Sequence, residues 1–249
     1  MHLTKDQEDI LLRCTAAIMC KDQSGNLNTG TAFWFQSKAG HKYLITNKHV
    51  IKNKKSVIIY CSIFDDPFIR KEASPIEITL EKNALFLEDD DLAAIRVTNL
   101  LDNFAFKGKI DCRFVESNLV KTDFEDCSLL EDVVMPGYPA ATFDTVHNYP
   151  LIRTGRTCSN LRSQSPDRNV FWTSIQVSPG DSGAPVFLMN TNKLQLIGVN
   201  RAHKCIPNRV KRLDATFLPM YIDEDIGIST CVGSFLLKQF LNALDALVI

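Results

Sequence analysis

The chain has 249 residues, 45% of them hydrophobic and 23% charged, enough apolar surface to bury a sizeable core and too much for a disordered or low-complexity polymer. Lysine and arginine number 28 against 29 acidic residues, a formal net charge of −1. Such a balance supplies no bulk field for nucleic acid or an anionic membrane, so partners of those two kinds are not expected.

The opening run MHLTKDQEDILLR carries a charge every few positions and lacks the apolar core of a secretory leader, so export is not expected. Within it Thr4 and Gln7 form a capping-box pair, which predicts a short helix through about Leu12. Strand-like segments then dominate. The first set is TAAIM (15–19), TAFWF (31–35), KYLIT (42–46), SVIIYC (56–61), IEITL (76–80) and LAAIRV (92–97). The second is EDVVMP (131–136), YPLIRTG (149–155), VFWTSI (170–175), APVFLM (184–189) and KLQLIGV (193–199), with turn-rich stretches such as SGNLNTG and SQSPDRN between strands. Many short strands with frequent turns point to barrels or a sandwich rather than βαβ units. At the end, Ser234 is placed to cap a helix whose Leu236, Phe240, Leu244 and Leu247 form one apolar stripe for docking on the body. That last run is interrupted by Lys238 and Asp245, and no segment reaches about 18 consecutive apolar residues, so no transmembrane helix is expected.

Eight cysteines are dispersed, without a C-x-x-C pair or a dense cluster, which favours small buried reduced thiols and a reducing, cytoplasmic setting over disulfides. His203 and Cys205 lie close in sequence but are too few for a metal site, so neither metal nor organic cofactor is expected.

Three segments bring a base, an acid and a nucleophile beside strand-like sequence: LITNKHV with His49, DDDLAAI with Asp91, and SPGDSGAPVF with Ser182. A serine hydroxyl is a poor nucleophile at neutral pH. It needs a base within hydrogen-bond reach and a group that orients the base. Histidine titrates near pH 6.5, so it can take the hydroxyl proton and return it to a leaving amine. Gly180 and Gly183 bracket Ser182, and glycine permits a tight turn that aims backbone N–H groups at one small volume.

Taken in the order His49, Asp91, Ser182, these segments resemble the histidine, aspartate and serine motifs of the trypsin-like (chymotrypsin-fold) serine peptidases, and MPGYP (135–139) is similar to a segment of the simpler bacterial members. The resemblance covers roughly residues 13–249. It implies an all-β fold of two antiparallel six-stranded β-barrels, with a short N-terminal helix and a C-terminal helix. The expected boundaries are a helical extension over 1–12, a first barrel over 13–110, a second over 111–232 and the helix over 233–249. The resemblance implies that His49 is general base and acid, Asp91 its orienting carboxylate and Ser182 the acylated nucleophile. It further implies an oxyanion hole from the N–H groups of Gly180 and Ser182. Asp91 is preferred to Asp89 and Asp90 because it directly precedes the apolar run Leu92–Ile95, at a strand start.

Departures from the family pattern are informative. Secreted members carry cysteines where this chain has Val50 and Ser178, so those disulfides are absent. No activation sequence releases a new N-terminus to pair with Asp181, which leaves two expectations: another donor holds Asp181, or the site is ordered only by a partner or substrate. At Gln176 trypsin has an aspartate, so strong basic specificity is not implied. GVNRAHK (198–204) is similar to the strand that edges the substrate backbone, which brings Asn200, Arg201 and Ala202 to the peptide. Arg201 and His203 could make that pocket electropositive, against a plainer reading as solvated side chains.

An α/β-hydrolase needs G-x-S-x-G, but Ala184 stands at the last glycine, and the βαβ alternation is missing. A cysteine hydrolase fits no better, because no cysteine occupies a glycine-rich turn with a matched histidine. The reading is therefore a serine endopeptidase acting on protein or peptide, alone or with a separate activating or regulatory protein. Its rival is a peptidase-like protein-binding module that cuts slowly, not at all, or only after ordering by a partner.

Overall fold

A computed structural model describes residues 3–21, 25, 27–66, 69–103, 106–142, 147–163, 169–189, 193–211 and 217–246. The chain enters its first helix, α1 (Lys5–Arg13), through the expected capping box: the Gln7 backbone N–H donates to the Thr4 hydroxyl at 3.3 Å, and the Thr4 N–H donates to the Gln7 side chain at 2.8 Å. Strands follow as β1 (Thr15–Lys21), β2 (Leu27–Gln36) and β3 (Lys42–Thr46), then a single helical turn α2 (Lys48–Ile51). After it come β4 (Ser56–Asp66), β5 (Ile69–Thr79), β6 (Ala84–Phe86), β7 (Ala93–Arg96), a short α3 (Thr98–Asp102) and β8 (Val115–Glu116). The second half contains β9 (Asp132–Gly137), β10 (Leu151–Arg156), β11 (Val170–Thr173), β12 (Pro185–Met189), β13 (Leu194–Lys211), β14 (Phe217–Gly233) and α4 (Ser234–Ala246).

These strands make two curled sheets. The first has the order β5-β4-β1-β2-β3-β7-β6, with β8 added parallel to β2. It holds eight strands where six were expected, because the short β6 and β8 carry no alternating signal of their own. The second has six, in the order β10-β9-β12-β13-β14-β11, all antiparallel. A bridge between Thr157 and Thr173 and the bond from Ser174 N–H to the Arg156 carbonyl at 2.8 Å bring its two outer strands together. The two-barrel expectation holds.

Strand periodicity explains why so few positions in these strands are polar. In β2, Ala32 and Trp34 point into the core of the first sheet, while Phe33 and Phe35 point into a core shared by both halves. The second half mirrors this: Val186 and Leu188 of β12 fill its own core, and Phe187 between them enters the shared one. Both faces of the central strands are buried, so they read as unbroken apolar runs. The shared core is roofed by Ile10 and Leu11 of α1 and by Leu237, Phe240, Leu241 and Leu244 of α4.

Three local expectations are corrected. The buried face of α4 is centred on Leu237, Phe240, Leu241 and Leu244, with Leu236 only partly buried; Leu247 lies outside the described residues. Ser234 is the first residue of the helix, and its hydroxyl donates to the Lys121 carbonyl rather than capping. The expected turn SGNLNTG ends early too, since β2 already begins at Leu27 and pairs Leu27 with Lys21.

Candidate active site

His49 sits on α2, the one-turn helix that follows β3, and its position is set by the loop leading into β7. The ring Nδ1 lies 2.7 Å from Asp91 Oδ2, and the His49 backbone N–H donates to Asp91 Oδ1 at 2.9 Å. An ionised carboxylate only accepts, so the shared proton belongs to Nδ1 and Nε2 is left as the basic nitrogen. Asn47 fixes the same loop from the other side, its amide donating to the Asp91 carbonyl at 2.9 Å. Asp90 accepts from the Asp91 N–H at 2.7 Å, and Lys48 Nζ donates to the carbonyls of Leu87 and Glu88 at 2.7 and 2.6 Å. Among the described residues Asp89 has no such bond, and the Asp90 carboxylate reaches only the Asp91 N–H.

The Asp91 side chain is 12% exposed. Burial pushes its carboxyl upward, but the hydrogen bonds from the His49 ring and backbone, with the charges of His49 and Arg201, outweigh this and hold it below the ordinary aspartate value of 3.8.

Ser182 comes from the second half, on the turn between Val177 and β12. Gly180 and Gly183 adopt φ of 101° and 93°, conformations that side chains resist. At Gly183 a β-carbon would also collide with the Thr31 carbonyl and the Thr46 hydroxyl, so only glycine fits. Within this turn the N–H groups of Asp181, Gly183 and Ala184 are spent on the carbonyls of Ser178, Asn200 and Asp181. Among the described residues those of Gly180 and Ser182 have no protein acceptor. These are the two positions expected to serve an oxyanion.

Three residues outside the expected site set hold this turn. Arg153 of β10 grips the Asp181 carboxylate with both terminal nitrogens, and Asp181 is 1% exposed. The same guanidinium donates to the Gln176 carbonyl at 3.2 Å, and Ser178 N–H adds a bond to Asp181 Oδ2 at 2.7 Å. Another donor therefore does hold Asp181. Thr31, on β2 of the first half, donates its N–H to the Ser182 carbonyl and its hydroxyl to the Gly180 carbonyl, both at 2.8 Å. Tyr138 N–H in turn donates to the Thr31 hydroxyl at 3.1 Å. An arginine within the apolar run YPLIRTG was the one available signal for Arg153.

His49, Asp91 and Ser182 line one cleft of about 710 Å³, together with Val177, Ser178, Asn200, Arg201 and Ala202. Gln176 does not line it; its side chain is exposed, one position short of the wall. Asn200 is buried and donates its amide to the Asp181 carbonyl at 3.0 Å. Arg201 turns towards Asp91, with Nε 3.4 Å from Oδ2. The Ser182 hydroxyl donates to the Arg201 carbonyl at 3.3 Å. His49 and Ser182 face the same space without a hydrogen bond to each other; such contacts commonly tighten only when substrate is held. Among the described residues no group of three or more His, Cys, Asp or Glu could hold a metal ion.

A double-barrel fold with a histidine–carboxylate pair facing a serine turn across the seam defines the chymotrypsin-like class. Residues 30–199 match the family described as the trypsin-like peptidase domain, and the chain belongs to that family. No curated protein matches the sequence. Among solved structures it is similar to the active form of the Rv3671c protease from M. tuberculosis, at 17% identity over 95% of this chain and 84% of that one, with a TM-score of 0.54. The serine endoprotease from Yersinia pestis is similar at 16% identity, covering 98% of this chain and 68% of that one, with a TM-score of 0.51. Catalytically active tobacco etch virus protease complexed with product shares 12% identity over 97% of this chain and 83% of that one, with a TM-score of 0.53. At these identities the likeness is one of fold.

Proposed function

We propose that the chain is a serine endopeptidase that hydrolyses peptide bonds through an acyl-enzyme. His49 Nε2 removes the Ser182 proton as the hydroxyl attacks the scissile carbonyl, then returns it to the leaving amine, while Asp91 orients the ring and stabilises its charged form. The N–H groups of Gly180 and Ser182 bind the oxyanion. Water then releases the acyl group by the same route. The observation that carries this reading is the 2.7 Å bond between His49 Nδ1 and Asp91 in the cleft that also holds Ser182. Membership of the peptidase family implies a protein or peptide substrate. No cofactor has a part in this chemistry.

The proposed division is a first barrel over 13–110 and a second over 111–232, flanked by helical segments. Supporting it, the strands of the first sheet run from Thr15 to Arg96 with β8 added, and those of the second from Asp132 to Gly233. A reducing, cytoplasmic location is supported by the seven cysteines whose side chains are described, all free. Among the described residues no helix is long and apolar enough to cross a membrane.

A second reading, a peptidase-like module gated by a partner, is favoured by one contact: the Ser182 hydroxyl is bonded to the Arg201 carbonyl instead of to His49. A serine-directed fluorophosphonate separates the two. Labelling of the natural chain but not of Ser182→Ala supports the endopeptidase, and absence of labelling on folded protein supports the module. Cleavage of a peptide library with Ser182→Ala as blank then identifies the preferred residue before the cut.

A further inference from the structure

The Asp91 carboxylate lies between an imidazole and a guanidinium from opposite halves of the molecule. On one side is the His49 ring at 2.7 Å, and on the other the Arg201 guanidinium at 3.4 Å, both directed at Oδ2. Arg201 reaches there from β13, while its own carbonyl accepts the Ser182 hydroxyl. One residue thus touches the acid through its side chain and the nucleophile through its backbone.

The other charged groups around His49 are differently placed. Lys48 on α2 spends its ammonium on the carbonyls of Leu87 and Glu88, and Lys52 follows the helix. Glu88, Asp89 and Asp90 lie on the opposing loop, and Asp90 is bonded to the Asp91 N–H. Among the described residues Arg201 is the only permanent cation in contact with the Asp91 carboxylate. A carboxylate beside an imidazole favours the charged ring, and a fixed cation on the same oxygen opposes that preference by drawing on the same negative charge. At 45% exposure the Arg201 side chain is partly screened by water, so its effect is moderate.

We propose that Arg201 is a positioning residue: by sharing Asp91 with His49, it keeps the imidazole unprotonated, and so able to accept the Ser182 proton, further into the acid range than Asp91 alone would allow. The proposal rests on the triad reading above and adds to it a limit on the pH at which the base becomes competent. It adds a role at the triad carboxylate to the place of Arg201 in the cleft wall.

The test is an NMR titration of the His49 imidazole, assigned by loss of its signal in His49→Asn. Wild type is compared with Arg201→Gln, Arg201→Met and Arg201→Lys; every one of these keeps the backbone carbonyl. With the neutral variants the His49 titration moves to higher pH by about 0.5 unit or more, less than the one to three units a close charge produces without screening. Lysine restores much of the wild-type position. The acid limb of kcat/KM moves in the same direction. An unchanged or downward titration in both neutral variants overturns the proposal. Because the titration needs no turnover, it decides the role of Arg201 even if fluorophosphonate labelling counts against the peptidase reading.

Discussion

Arg153 and Asp181 form a two-pronged ion pair beneath the turn that carries Ser182, joining β10 to a carboxylate that is 1% exposed. The cation comes from β10 of the same sheet, so this anchor of the turn lies within the second half. Replacing Arg153 with Met leaves Asp181 buried without its counter-charge, a loss of about 3–5 kcal/mol in unfolding free energy. With the turn no longer fixed, kcat/KM falls by roughly 100-fold or more, as when an oxyanion donor is removed. Denaturant melts and peptide turnover check both effects. Limited proteolysis of the natural chain brings no gain in activity; a large gain on nicking contradicts an internally ordered turn.

Thr31 ties the first half to the nucleophile turn through two bonds of 2.8 Å. Thr31→Val keeps the shape and the N–H bond to Ser182 but removes the hydroxyl shared by the Gly180 carbonyl and the Tyr138 N–H. Unpairing those groups costs about 1–3 kcal/mol. Turnover drops by roughly tenfold, equivalent to ~1.4 kcal/mol of lost alignment in the transition state. Thr31→Ser recovers most of it. Equal activity of the valine and threonine forms shows the hydroxyl to be irrelevant to the turn.

Asp91 titrates below 3.8 in the folded chain. A carboxyl whose folded value is depressed binds fewer protons than it does in the unfolded state. Its contribution to stability is therefore complete above the unfolded value and is lost as pH falls through the folded one. Asp91→Asn removes that dependence. Acid unfolding curves of the two forms converge as pH falls through the folded value, while at neutral pH the variant is less stable and its turnover falls by about 10⁴-fold. Curves that stay parallel across the acid range contradict the assignment.

Burial pushes the thiols of Cys112 and Cys231 up to about 12 and that of Cys127 up to about 11. Thiolates at these positions are scarce at neutral pH, so alkylation there is slow. Cys158, by contrast, is exposed and free. Brief treatment with iodoacetamide modifies Cys158, Cys158→Ser removes that equivalent of label, and turnover is unchanged throughout. Loss of activity on alkylation speaks against Ser182 as the nucleophile.

The legible part of the molecule was the part written in local pattern. A short strand-like run bounded by polar residues identifies β3 (Lys42–Thr46) to the residue, and the Thr4–Gln7 pair identifies the start of α1. The three site segments are weak one by one and become recognisable because, in the order His49, Asp91, Ser182, they resemble the motifs of a known family. What stayed hidden was long-range. Arg153 lies 28 positions before Asp181, and Thr31 lies 149 before Gly180, so nothing in either neighbourhood names its partner. Gln176 illustrates the converse: a position chosen by offset from Ser182 falls outside the cleft, because the wall is formed by its neighbours Val177 and Ser178. Arg201 was singled out for its charge and location, but which way its side chain turns is decided by Asp91 in the other half.

The roof formed by α4 over the shared core bears on biosynthesis. A ribosome delivers His49 and Asp91 long before Ser182, and the helix that seals the two halves together, Ser234–Ala246, comes later still. A half-made chain thus owns a base with nothing to activate. On the proposed triad, cleavage therefore waits until both halves are made and joined.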